Sequence, residues 1–234
     1  MIEIKNVVKK YGEKVALDNV SFNVEDGEIF AFIGHNGAGK TTLIKAIVGI
    51  HEFDNGDILI NGKSIKEDPV ACKKDMAFVP DNPELYENMK AIDFINFICD
   101  MYEVSEDVRN KNIHKYAQIF EIEENLNDPI MSFSHGMKQK IALISALAHD
   151  PKVLIMDEPF VGLDPKAVFD VKKIMNEMIS EGKIIFFSTH ILDVAEKLCS
   201  KVAIIKNGKI IKTGSMKEIK GDKSLEKVFL ELES

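Results

Sequence analysis
The chain of 234 residues is predicted to be an α/β protein, with a parallel sheet at its core, an antiparallel β subdomain at the N-terminus and a helical segment inserted midway. Three observations carry that prediction. Short, continuously apolar runs at Ile29–Ile33, 75–80, 152–156 and 183–188 alternate with segments of helical period, and a strand apolar on both sides belongs to a sheet covered on both faces. The first of these runs passes through a glycine-rich loop straight into an apolar helix. Residues 2–8 and 15–24 instead alternate loosely and end in the turn signal Asp26-Gly27, the pattern of antiparallel strands.

Taken in order, residues 2–8 read as a strand, Tyr11-Gly12 as a loop, and 15–24 as its antiparallel continuation. The helix after the glycine-rich loop covers 43–50 and closes at Gly49, and residues 57–60 with Asn61-Gly62 make a short strand and turn. The strand at 75–80 is stopped by Pro80. Beyond it Ile92, Phe94, Ile95, Phe97, Ile98, Met101 and Tyr102 surround most of a helix at 91–103. Ser105, Glu106 and Asp107 start another that continues through 108–119. Region 87–150 is therefore expected to be mainly helical. A buried strand at 152–156 leads to a helix at 166–181 ended by Gly182. A strand at 183–188, a helix at 191–199, strands at 202–205 and 210–214 about Asn207-Gly208, and one polar helix complete the chain.

Composition narrows the class. Hydrophobic residues make up 45% and charged ones 29%, a soluble globular balance in a chain long enough to bury a core. The net charge of -8 argues against a nucleic-acid-binding surface. Cys72, Cys99 and Cys199 are too scattered for a disulfide framework or zinc site, so a reduced cytosolic setting is expected. The start lacks the apolar core of a signal peptide, and no apolar run approaches the roughly 18 residues of a membrane helix. The chain is not expected to cross a membrane by itself.

The glycine-rich loop is specific. Gly34-His35-Asn36-Gly37-Ala38-Gly39-Lys40-Thr41 reads G-x-x-x-x-G-K-T, a phosphate-binding loop in its proper strand–loop–helix setting. Glycines allow successive N–H groups to turn inward, and the helix start adds unpaired N–H groups and a positive dipole end. Lys40 is expected to reach the β- and γ-phosphates, Thr41 to ligate Mg²⁺ and Thr42 to add a phosphate contact. The strand at 153–156 ends in Asp157-Glu158. There Asp157 is expected to hold Mg²⁺ through water, and Glu158 to orient and polarise an attacking water.

Further motifs follow. "LIMDEP" contains Asp157 and Glu158, "GLDP" covers 162–165, "STH" covers 188–190, and Ser132-Phe133-Ser134-His135-Gly136-Met137-Lys138-Gln139 precedes an apolar helix. With the phosphate loop, this ordered set resembles an ATP-binding cassette (ABC) ATPase over essentially the whole chain. The family's signature is Leu-Ser-Gly-Gly-Gln. Here Ser134 and Gly136 are kept, while His135 and Met137 stand for the first glycine and the glutamine. The resemblance implies that Ser134 and Gly136 meet the γ-phosphate bound by an opposite subunit. It implies that Tyr11 stacks on adenine, that His190 contacts the γ-phosphate and that Asp164 spans the dimer interface. Asp81 falls where the family usually has glutamine, and a metal role is expected for it instead.

The resemblance thus implies one nucleotide-binding domain over 1–234, with an ATP-binding core and its antiparallel β subdomain in 1–86 and 151–234, and a helical subdomain in 87–150. It implies ATP and Mg²⁺ as cofactors, hydrolysis in a head-to-tail homodimer, and a separate transmembrane permease. The protein would then sit in the cytoplasm, peripheral on the inner face of the cell membrane. Residues 79–89 ("VPDNPELYENM"), 134–140 and 224–234 resemble in particular the ATPase subunits of two-component bacterial exporters. The alternative is a soluble ABC ATPase acting on the ribosome or nucleic acid. Such proteins usually carry two cassettes or a long coiled coil, which this chain lacks. A non-hydrolysing regulatory module is disfavoured by the retention of Lys40, Asp157, Glu158 and His190.

Overall fold
A computed structural model describes residues 1–233; Ser234, the last residue of the expected domain, lies outside them. From the N-terminus, β1 (Ile2–Tyr11), β2 (Lys14–Val24) and β3 (Ile29–Ile33) lead into α1 (Lys40–Ile47). Then come β4 (Asn55–Ile60), β5 (Lys63–Ser64), α2 (Pro69–Lys74) and β6 (Met76–Val79). Helices α3 (Ala91–Met101), α4 (Glu106–Ile119) and α5 (His135–Ala148) precede β7 (Val153–Asp157), α6 (Pro165–Ser180), β8 (Ile184–Thr189) and α7 (Leu192–Leu198). The chain continues through β9 (Lys201–Lys206), β10 (Lys209–Ser215), α8 (Met216–Lys220) and α9 (Leu225–Glu233).

The strands form two sheets. One is antiparallel, in the order β2-β1-β4-β5; the other has the order β10-β9-β3-β8-β7-β6, parallel except for β10. The α/β prediction therefore holds, and the reason for the continuous apolar runs is visible. On β3, Phe30 and Phe32 enter one core while Ile29, Ala31 and Ile33 enter another. Val153 and Ile155 of β7 likewise oppose Leu154 and Met156. The first core lies under the antiparallel sheet and α1, and there Phe22 of β2 stacks on Phe30 at 5.1 Å and 6°. Each such buried ring contributes about 1.5–3 kcal/mol by leaving water. The second core receives α3–α6 and the C-terminal helices.

Three local readings are corrected, and one helix, α2, was not foreseen. Tyr11 is the last residue of β1, paired with Lys14, because the chain turns only at Gly12, where φ is 59°; the expected loop is a two-residue hairpin. Helix α1 begins at Lys40, before the apolar pattern, since its first turn is the polar end of the phosphate loop. Helix α2 has no apolar period; Asp68 starts it by accepting from Ala71 N at 3.1 Å, with Pro69 at the first helical position. The polar C-terminal helix is two helices, and Met216, Ile219, Leu225 and Val228 bury their shared apolar side.

Candidate functional site
Parallel register decides where the site forms. Val79 of β6 pairs with Met156, Asp157 of β7 with Ser188, and Ile33 of β3 with Thr189. The C-terminal ends of four neighbouring strands thus meet on one sheet edge, the position at which α/β sheets bind ligands. The loop from β3, Asp81 after β6, Asp157-Glu158 after β7 and His190 after β8 all leave from that edge.

The loop is shaped by close packing. Gly39 has φ 117°, and a Cβ there would stand 2.7 Å from Ala16 O; only glycine takes this path. Gly34 packs as tightly on Ile205. Ala38 is buried, with its carbonyl accepting from Gly208 N at 2.9 Å. No side chain caps α1 at Gly39, so its first N–H groups face the cavity. Lys40 is buried to 6% exposure, and its ammonium donates to Gly34 O at 2.7 Å and lies 3.5 Å from Glu158 Oε1. His35 is half-buried beside the loop, its Nδ1 2.8 Å from Asn36 O.

The acidic side is held from β8. Asp157, 2% exposed, accepts from Thr41 Oγ1 at 2.7 Å and from the Ser188 hydroxyl. Glu158 has φ 48°, an unusual conformation for a residue with a side chain. Its N–H is fixed by Ser188 O at 3.2 Å, and its Oε2 lies 2.9 Å from His190 Nδ1. Asp81 accepts from Asn82 N at 2.8 Å, capping its own turn.

A cavity of about 660 Å³ opens over this edge. It is lined by Tyr11, Asn36, Gly37, Gly39 and Lys40, and by Thr41, Thr42, Asp81, Asp157 and Glu158. His190 meets it through Glu158. Gly34, His35 and Ala38 do not line it and shape the loop from behind. Lys14, Val15, Ala16, Asn207 and Gly208 also line the cavity, unforeseen because strand β2 and the β9–β10 turn reach it only through tertiary packing. The Asn207-Gly208 turn was legible; its neighbour was not.

Ser134, Gly136 and Asp164 are outside this cavity. Ser134 caps α5 by accepting from Met137 N at 3.3 Å. Met137 packs against the second core, the physical sense of an apolar residue in place of glutamine. Asp164 caps α6 through Ala167 N at 2.8 Å. That bond first, and the Lys140 ammonium second, hold its carboxyl below the usual carboxylate range.

The residues suit Mg²⁺ with a polyphosphate. Thr41 and Asp157 offer adjacent hard oxygens, while the described residues contain no cluster of three or more His, Cys, Asp or Glu that makes a protein-only metal cage. Mg²⁺ characteristically takes one or two protein ligands together with substrate phosphates and water.

Comparison with known proteins agrees. The ABC transporter family profile matches residues 17–161. The ABC-type transporter ATP-binding protein EcsA of Bacillus subtilis is 34% identical, over 99% of this chain and 96% of its own length. A solved ATP-binding subunit of an ABC transporter superposes with TM-score 0.97 at 34% identity, covering all of both chains. An ATP-binding cassette captured as a post-hydrolysis dimer with ADP and phosphate gives TM-score 0.83 at 25% identity, covering 92% of this chain and 99% of that one. The chain belongs to the ABC transporter family, as an ATP-binding ATPase subunit.

Proposed function
We propose that this subunit powers export through a separate membrane permease, and does so as a head-to-tail homodimer with two composite ATP sites. One observation carries the reading: Lys40, Thr41, Asp157, Glu158 and His190 form one connected set at the cavity, while Ser134, Gly136 and Asp164 lie outside it in the same chain. A signature that cannot serve its own cavity is complete only on a second copy. Two identical chains about a two-fold axis then supply two equivalent sites.

In this reading ATP enters with its phosphates in the glycine loop and its base against Tyr11, an exposed ring at the cavity's edge. The Lys40 ammonium leaves the Gly34 carbonyl and Glu158 for the β- and γ-phosphates. Thr41 and Asp157, with Asp81 as a third candidate, would hold Mg²⁺, which would neutralise charge on the phosphate oxygens. Glu158, freed from Lys40 and oriented by His190, accepts the proton of the attacking water. Ser134 and Gly136 of the second copy close over the γ-phosphate at the start of α5.

The helical subdomain is residues 87–150, inserted between core segments 1–86 and 151–234. At its border Tyr86, the last residue of the first core segment and 59% exposed, meets Phe94 and Phe97 of α3 edge to face, which suits a groove receiving the permease. No helix among the described residues is long and apolar enough to cross a membrane. In this reading a separate permease supplies the span, and the ATPase docks on the inner face of the membrane. The resemblance of residues 79–89 and 134–140 to exporter ATPases supports the direction.

The test is size-exclusion chromatography of Glu158→Gln with and without Mg-ATP. An ATP-dependent shift from monomer to dimer is expected, because the amide keeps the shape of the site but loses the base. A variant that stays monomeric with ATP bound would sink the sandwich reading.

A further inference from the structure
The signature departs from the family pattern at His135, where a glycine is usual, and the structure gives this imidazole a particular seat. Gly162, in the loop between β7 and α6, has φ +80°; a Cβ added to it would lie 2.6 Å from His135 Cδ2 and 2.8 Å from Nε2. Both residues are exposed, and the ring lies over the space that the missing Cβ of Gly162 leaves at the surface. A Cβ on Gly136 would meet Gly162 O at 3.1 Å, so the backbones of the two segments are also close. Farther along α5, Lys140 Nζ pairs with Asp164 Oδ2 at 3.2 Å. The start of α5 therefore grips the 161–164 loop at both ends, by shape at Gly162 and by charge at Asp164.

We propose that His135 is a positioning residue for ATP hydrolysis: it wedges the 161–164 loop against the signature helix, so that Ser134 and Asp164 present to a second copy as one rigid unit. This rests on the reading of sites shared between two chains. With glycine at 135, a gap would face Gly162, itself the most permissive backbone in the loop. Asp164 would keep its cap bond from Ala167 N, but its side-chain link to α5 would be only the partly exposed Lys140 ion pair, a weak tether. Neither His135 nor Gly162 lines the cavity of its own chain. Loosening the wedge should therefore leave ATP binding alone and misplace the groups offered in trans, and small misplacements at a catalytic interface lower rate steeply.

The experiment is a double-mutant cycle on His135→Gly and Gly162→Ala, with His135→Gln as the filling variant. His135→Gly should lower kcat roughly tenfold with KM for ATP unchanged, and His135→Gln should recover most of that loss. Gly162→Ala is strained at φ +80° in either background, and with His135 present its Cβ must in addition displace the ring, so the substitution should be more harmful there. Its effect should shrink several-fold in the His135→Gly background, where only backbone strain remains. Thermal unfolding without nucleotide reads the same steric coupling independently of any ATPase activity. Additive effects on melting would overturn the contact. Coupled melting with wild-type kcat in His135→Gly would overturn the positioning role while leaving the family reading intact. A Gly162→Ala chain that folds only without His135 supports the contact. Failure of the shared-site reading appears elsewhere, as absence of complementation between Ser134→Arg and Lys40→Ala chains.

Discussion
At the scale of single residues, the site is a set of charges that satisfy one another. Lys40 is shared by a loop carbonyl and Glu158, and Glu158 by Lys40 and His190. Glu158→Gln removes the base while keeping an oxygen for His190, so kcat should fall by roughly 10²- to 10⁴-fold with ATP affinity nearly unchanged; steady-state hydrolysis beside equilibrium ATP binding checks both halves, and near-normal turnover would remove the assignment. Asp81 faces the same cavity as an anion without an amide donor. Without metal it repels the triphosphate. Asp81→Asn should therefore tighten metal-free ATP binding on the order of fivefold, about 1 kcal/mol of partly screened Coulomb energy, and flatten the Mg²⁺ dependence. Superimposable Mg²⁺ titrations would leave Asp81 only the turn at Asn82, which it already caps.

At the scale of elements, the join between helices and sheet carries a half-buried imidazole. His149 ends α5, stacks on Tyr102 at 3.7 Å, and has Nε2 3.3 Å from Met76 O on β6. Burial first of all pushes its pKa below the ordinary histidine value. The unfolded chain takes up this proton near pH of about 6.5, whereas the folded chain resists it. The unfolded state thus binds more protons as pH falls, and stability is full above that region and lost on descent towards the lowered folded value. Urea unfolding at pH 7.5 and pH 5.5 should show a loss that His149→Gln, which does not titrate, largely lacks. Equal losses in both proteins would exclude His149 as the source. Helix α4 was plain in the sequence by its period and α3 by apolar residues around most of its circumference, and both pack against one core. Helix α2 was not plain, because capping rather than burial defines it.

At the scale of the molecule, the proposed function needs a second copy. Ser134→Arg and Lys40→Ala should each abolish hydrolysis alone. Mixed together they can place both defects in one composite site and leave the other intact, so partial activity should return, up to roughly a quarter of wild type if half the dimers are mixed and each retains one of two sites. Native mass spectrometry confirms the mixed dimers; confirmed heterodimers without activity would argue against sites shared between chains.

The sequence by itself determined the phosphate loop, the acidic strand end, the alternation of strands and helices, and the family. These are local patterns, in which glycine spacing, apolar runs and adjacent carboxylates each have a single physical use. Tertiary structure alone decided what meets what. Parallel register carried four strand ends to one edge, so that Thr41 reaches Asp157 across 116 residues. The β9–β10 turn came to line the nucleotide cavity because Gly208 bonds Ala38. His135 acquired its seat on Gly162 because the start of α5 and the loop before α6 pack without room for a Cβ. Such contacts depend on the distance between segments rather than on composition within either, so no local pattern announces them.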